Sequence, residues 1–309
     1  MVLLQSLIGK GYYKGLAEIA SNETISRASI LRAGFELCDT IISASIMSVT
    51  GFAQDETQKI QSSIDELVDQ MKERGYDITP YLDSPNFMLY PKIKKIFTTS
   101  PESVAFQQYN NCLKENKNED GSINKVACKE EFDNAYQEYR TKLGLNLKIK
   151  AIKKFSEENQ AALDLAEKTY GINKNVIAAI IGVETNFGDN IGHHYAFGVY
   201  ASLYVFNHRQ EFAIQQMEAL MQISEQMNLE PTDFISSYGG AIGFGQFIPS
   251  SLRDYFVKDG KLDSMHDTIM SVGNYLKNKS KGDINEKILS YNKSVFYKEA
   301  VLELASTLD

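Results

Sequence analysis

The sequence predicts a mainly α-helical protein. Apolar residues recur at the spacing of one helix face, few segments alternate with period two, and helix start and stop signals punctuate the chain. Ile60, Ile64, Leu67, Val68 and Met71 line one face of a first helix, and Gly75 supplies its stop. Residues 80–100 contain Pro80, Pro85 and Pro91 and read as irregular chain or short helices. Residues 114–125 form a polar loop with a turn signal at Asp120-Gly121-Ser122, and Phe132 to Tyr139 returns to helix. Ser156, followed by Glu157 and Glu158, reads as a helix start, because acids in a first turn complement the helix dipole. That helix runs to Tyr170 and stops at Gly171. Asn173 or Asn175 caps the next one, which carries Val176 to Glu184. No internal repeat is visible.

The length of 309 residues suits one large domain or two small ones. A net charge of −8 argues against a nucleic-acid partner and against steering toward an anionic polymer. A glycan would be held by hydrogen bonds and ring stacking instead, and 17 tyrosines are available for the purpose, with no tryptophan. Residues 1–55 differ from the rest. The run Ile41 to Ala53 follows Arg27 and Arg32 and ends in Gly51-Phe52-Ala53, as a secretory leader would, yet Glu36 and Asp39 are out of place in one. Leader, membrane anchor and folded helix all stay open for this segment, although the run is short for a span. Cys38 lacks the small residues that precede a lipid-attachment site. Cys112 and Cys128 flank the polar loop. A disulfide there fits an exported protein and free thiols fit a cytosolic one, so pairing is left open.

The segment IAAIIGVETNFG, Ile177 to Gly188, carries the most chemistry. Its helix is apolar nearly all round and therefore buried. Glu184 sits at its C-terminal end, where burial and the negative end of the dipole both favour the protonated carboxyl. A protonated glutamic acid is what general-acid cleavage of a glycosidic bond needs. Taken alone, a buried glutamate satisfied by a hydrogen bond is the simpler reading. The segment SYGGAIGFGQFIPSS, Ser237 to Ser251, holds Gly239, Gly240, Gly243 and Gly245, which permit close approach of a ligand to the main chain. It is no phosphate loop, since it lacks the G-x-x-x-x-G-K-[ST] pattern and contains no Lys or Arg.

Together GVETNFG, YGGAIGFGQFIPSS, SVGNYL and SYNKSVFY resemble, in order, the membrane-bound lytic murein transglycosylase B family, over roughly residues 58–305. The resemblance implies a lysozyme-like α+β catalytic core with few short strands over residues 151–309, and an additional helical domain over 56–150. It implies that Glu184 is the single catalytic acid/base. It implies substrate-binding roles for Ser237, Gln246, Phe247, Tyr275, Tyr291, Asn292 and, less securely aligned, Tyr139. The implied reaction cleaves the MurNAc–GlcNAc β-1,4 bond of peptidoglycan and leaves 1,6-anhydromuramoyl ends. Glycan strands are then the partner, the location is the periplasm, the protein is a monomer, and no cofactor or metal is expected. Membrane association through the N-terminus stays open. After the E-T pair, where relatives carry an aromatic and a basic residue, the chain has Asn186-Phe187 and then Asp189-Asn190, so that Phe187 keeps the aromatic. Some relatives bind calcium after the P-S-S segment. Here Asp259, Asp263 and Asp267 miss the ligand spacing.

Three rival readings remain. A hydrolytic muramidase would use Asp189 as a second carboxylate to position water. A non-catalytic peptidoglycan-binding protein would bind without cleaving. A metal hydrolase would use His193, His194, His208 and His266, but no H-E-x-x-H is present and adjacent residues do not share a helix face.

Overall fold

A computed structural model describes residues 57–98, 101–118 and 120–309. The leader, anchor and lipid-attachment readings concern residues outside these. The first helix, α1, spans 57–73 and ends as its glycine dictates, with Gly75 at φ 89°. A 3₁₀ turn at Thr79–Asp83 carries Pro80 as its second residue, and the short α2 (Ile93–Thr98) follows. α3 (Pro101–Glu115) and α4 (Lys129–Lys142) pack on each other and flank the polar loop. That loop folds back through a Lys117–Ile123 bridge, with the Asp120 carboxylate accepting from the Ser122 N–H at 2.9 Å.

Cys112 and Cys128 are bonded across the base of this loop, 16 residues apart. Opening a ring of this size is expected to cost about 3 kcal/mol of stability. Thermal unfolding with and without reductant measures it, and an unchanged Tm would contradict the estimate.

α5 (Leu145–Glu158) and α6 (Gln160–Tyr170) correct one reading from sequence. Ser156 does not start a helix. It lies inside α5, its hydroxyl buried without a hydrogen-bond partner, and the break comes at Asn159, whose side chain donates to the Phe155 carbonyl at 2.9 Å. The physical reason is burial: Leu145, Ile152 and Phe155 keep one face of α5 in the core past the local start signal. Gly171 at φ 66° ends α6, and Asn173 caps α7 (Lys174–Thr185) by accepting from the Asn175 N–H.

Every residue of α7 from Val176 to Val183 is buried. A helix with no polar face must sit in the middle, and α7 packs against α5, α6, α11 (Met265–Asn278) and α13 (Val295–Ser306). α8 (Ala196–Val205) is likewise buried along its whole length and packs on α9 (Gln210–Met227). The described strands are β1 (His194–Tyr195) and β2 (Ile235–Ser236), paired antiparallel with His194 opposite Ser236. Further bridges, Ser236–Ile242 and Ile242–Phe247, fold the glycine-rich segment back on itself before α10 (Pro249–Tyr255) begins at its proline. α12 (Ile284–Tyr291) starts with a full capping box at Asp283 and Glu286 and leads into α13.

Candidate active site

Glu184 is the penultimate residue of α7, half-buried, with its carboxylate at the edge of the core. The Tyr297 hydroxyl, from α13, donates to Glu184 Oε1 at 2.7 Å. Burial, and then the Glu184 charge, push the Tyr297 hydroxyl well above its ordinary value, so it stays a donor. The same two causes act on Tyr291.

Beyond Glu184 the chain turns sharply. Asn186 (φ 52°) and Phe187 (φ 63°) are consecutive non-glycine residues in the left-handed region. Such backbone persists only where surroundings over-determine it. Here Phe187 folds over Gly182, where an added Cβ would come within 2.6 Å of its ring, and packs on Phe155 at 5.0 Å between centroids. Thr185, 1% exposed, ties the two motifs together: its hydroxyl donates to the Phe244 carbonyl at 2.8 Å and accepts from the Gly188 N–H at 3.0 Å. The glutamate and the glycine-rich loop are thereby held as one unit.

In that loop the Ser237 hydroxyl accepts from the Ala241 N–H at 3.3 Å. Gln246, itself left-handed at φ 50°, donates through Nε2 to the carbonyls of Gly243 (3.0 Å) and Ile191 (3.4 Å). Gly192 lets the chain after Glu184 lie against this loop, since a Cβ there would sit 2.2 Å from the Ser236 carbonyl oxygen. Tyr291 donates to the Gly245 carbonyl at 2.5 Å, and its ring meets those of Tyr275 (4.7 Å) and Phe247 (5.8 Å). Tyr275 donates to the Ser290 carbonyl, and burial pushes its hydroxyl up to about 12. Asn292 follows α12 and accepts from the Ser294 N–H at 3.0 Å. Tyr139 lies on α4 against Phe296 and within electrostatic range of Tyr297.

Seven of these positions were singled out from sequence as sugar-binding. Ser237, Gln246, Tyr291 and Asn292 are half-buried around the glycine-rich loop and the end of α12. Phe247, Tyr275 and Tyr139 lie deeper, each at 5% exposure or less. Tyr297, Thr185 and Lys148 were not singled out. Lys148 carried a signal nonetheless, because the spacing Leu145, Lys148, Ile152, Phe155 puts a lysine on the buried face of α5. Asp189 is exposed and accepts from Asn186 Nδ2 at 3.0 Å.

Among the described residues the metal-type cluster is Cys112, Cys128 and Glu131, two of which are consumed by the disulfide. Asp259, Asp263 and Asp267 do not converge on one point, and Asp267 instead accepts from the Lys261 N–H at 2.9 Å. Calcium takes six to eight oxygens, and this donor set does not fit it. A cavity of about 830 Å³ opens between the end of α9 and the 256–263 loop, lined by Met227, Leu252, Phe256 and Leu262 among others; none of the site residues lines it.

A family model described as the transglycosylase SLT domain matches residues 98–282. The membrane-bound lytic murein transglycosylase B of Escherichia coli K12 is 33% identical over 129 residues, which is 40% of this chain and 36% of that protein. The match thus spans about a third of that relative's length. Among solved structures, E. coli lytic transglycosylase Slt35 in complex with calcium superposes with a TM-score of 0.57 at 18% identity, covering 81% of this chain and 92% of that one. Pseudomonas aeruginosa SltB3 in complex with NAG-anhNAM-pentapeptide superposes at 0.53 and 17% identity, covering 82% and 78%. These likenesses show a shared, mainly α, lysozyme-like fold.

Proposed function

Because the chain belongs to the transglycosylase SLT domain family, we propose that it is a lytic transglycosylase that cleaves the MurNAc–GlcNAc bond of peptidoglycan glycan strands. The observation that carries this reading is the Glu184 carboxylate at the end of the buried α7, held by the Tyr297 hydroxyl and locked to the glycine-rich loop through Thr185.

In this reading the protonated Glu184 gives its proton to the glycosidic oxygen as the C–O bond breaks. The substrate's own N-acetyl group stabilises the positive sugar centre. The Glu184 carboxylate then takes the proton of the muramoyl 6-hydroxyl, whose oxygen closes a 1,6-anhydro ring. One carboxylate serves both steps, and water is not consumed. Ser237, Gln246 and Asn292 are assigned to the sugar's polar groups. Phe247, Tyr275 and Tyr291, whose rings pack on one another, are assigned to an aromatic floor beneath the sugar, and Tyr139, which packs on Phe296, to a separate substrate contact. Support for a glycan ligand comes from SltB3, solved with a peptidoglycan fragment. The disulfide supports an oxidising compartment, and with the substrate points to the periplasm. No helix of the described residues is long and apolar enough to cross a membrane. A helical part over residues 56–150 and a catalytic core over 151–309 would meet within α5 and share that helix.

Digestion of purified sacculi in ¹⁸O-labelled water tests the reaction. A transglycosylase leaves the released ends unlabelled. A hydrolase incorporates one labelled oxygen per cleavage, and that result would return attention to Asp189.

Tyr297→Phe removes a hydrogen bond that is worth about 1.5–3 kcal/mol once Glu184 has given up its proton and become charged. The rate of sacculus solubilisation is expected to fall about 10- to 100-fold, with the product unchanged. A rate within about twofold of wild type would exclude Tyr297 from holding the acid/base.

A further inference from the structure

Lysine is almost never buried without a partner, yet Lys148 is 7% exposed in the apolar stripe of α5. Its ammonium donates to Asn186 Oδ1 at a long 3.4 Å. Asn186 caps the C-terminal end of α7, two residues past Glu184, in left-handed backbone, and its Nδ2 holds Asp189. Burial pushes the Lys148 ammonium below its ordinary value, while the Glu184 charge, and after it that of Asp189, hold it up. A cation has therefore been placed in the core against the end of the helix that carries the acid.

We propose that Lys148 is a positioning residue for the acid/base: its ammonium braces Asn186 at the turn after Glu184 and stabilises the carboxylate that Glu184 becomes when it gives up its proton. The proposal rests on the transglycosylase reading for its meaning in the reaction. Among the described residues, the phenols that feel the Glu184 charge are Tyr275 on α11, Tyr291 on α12 and Tyr297 on α13, with Tyr139 on α4 beside Tyr297. Burial raises the hydroxyls of Tyr275, Tyr291 and Tyr297 so that they stay protonated, and Asp189 adds negative charge beyond the turn. On α6, Asp164 and Glu167 engage Lys174 at the opposite end of α7. Lys148 is thus the positive charge among these groups. It offsets the helix end and the surrounding burial, both of which oppose an ionised carboxylate. A single carboxylate that must act as acid and then as base needs such a counterweight, because without it the proton is held too tightly to be given up.

The test is a pair of carbon-13 NMR titrations. In protein labelled at the glutamate carboxyl carbon, with Glu184 assigned by its absence in Glu184→Gln, the Glu184 midpoint is expected to rise by about one pH unit in Lys148→Met and to stay near wild type in Lys148→Arg. The alkaline limb of kcat/KM moves up by the same interval, because the acid stays protonated to higher pH. Linkage requires the reciprocal effect. In protein labelled at the lysine side chain, the Lys148 midpoint is expected to fall in Glu184→Gln, and this arm decides the matter if Lys148→Met does not fold. Midpoints that stay in place in the arms that can be read would overturn the proposal. Neither titration depends on turnover. Coupled midpoints with no anhydro product would sink the functional reading alone, and anhydro product with unmoved midpoints would sink the role of Lys148 alone.

Discussion

Glu184→Gln is expected to lower the release of soluble fragments from sacculi by about 1,000-fold or more, the scale of a lost general acid that also serves as base. The amide keeps the size of the side chain and can still accept from Tyr297 through its carbonyl oxygen, so the fold should survive. A Tm within about 2 °C of wild type would confirm that the loss is chemical. Turbidity loss of a sacculus suspension measures the rate. Retention of more than a few per cent of it would remove Glu184 from the centre of the reaction.

The largest effect expected from a residue without chemistry of its own belongs to Gly192→Ala. Gly192 has φ 89°, and all three nearest atoms to an added Cβ are backbone: the Ser236 carbonyl oxygen at 2.2 Å, its carbon at 2.7 Å and Ser237 Cα at 2.7 Å. No side chain can swing aside. About 1–3 kcal/mol of overpacking adds to about 1–2 of left-handed backbone strain, giving a loss of about 2–5 kcal/mol in chemical denaturation. Relief comes only by moving the β2 segment, which would displace Ser237 and weaken substrate binding as well. A stability loss under about 1 kcal/mol would mean that the two segments are not held in register as described.

How much of this was legible in the sequence depends on the distance over which each signal acts. Gly75, Gly171 and Asn173 mark helix ends through local backbone chemistry, and the structure ends or begins helices there. The all-apolar run before Glu184 announces a buried central helix without help from the rest of the chain. Ser156 misled because its start signal is local while the burial of Phe155 is not. Tyr297 was missed for a similar reason. Its contact with Glu184 spans 113 residues, and a tyrosine on an apolar helix looks the same whether it packs or donates. The depth of Phe247, Tyr275 and Tyr139 was equally out of reach, since order along the chain says nothing about which ring lies beneath another. Lys148 is the instructive case, because its place on the apolar stripe of α5 was there to be read.

The central claim is that Glu184 drives an intramolecular ring closure rather than hydrolysis. Mass spectrometry of the muropeptides released from purified sacculi tests it most directly, comparing wild type with Glu184→Gln. The expected result is 1,6-anhydromuramoyl ends, each lighter by one water than a reducing end, made by wild type and lost in the variant. Reducing ends from wild type, or anhydro ends that persist in Glu184→Gln, would contradict it.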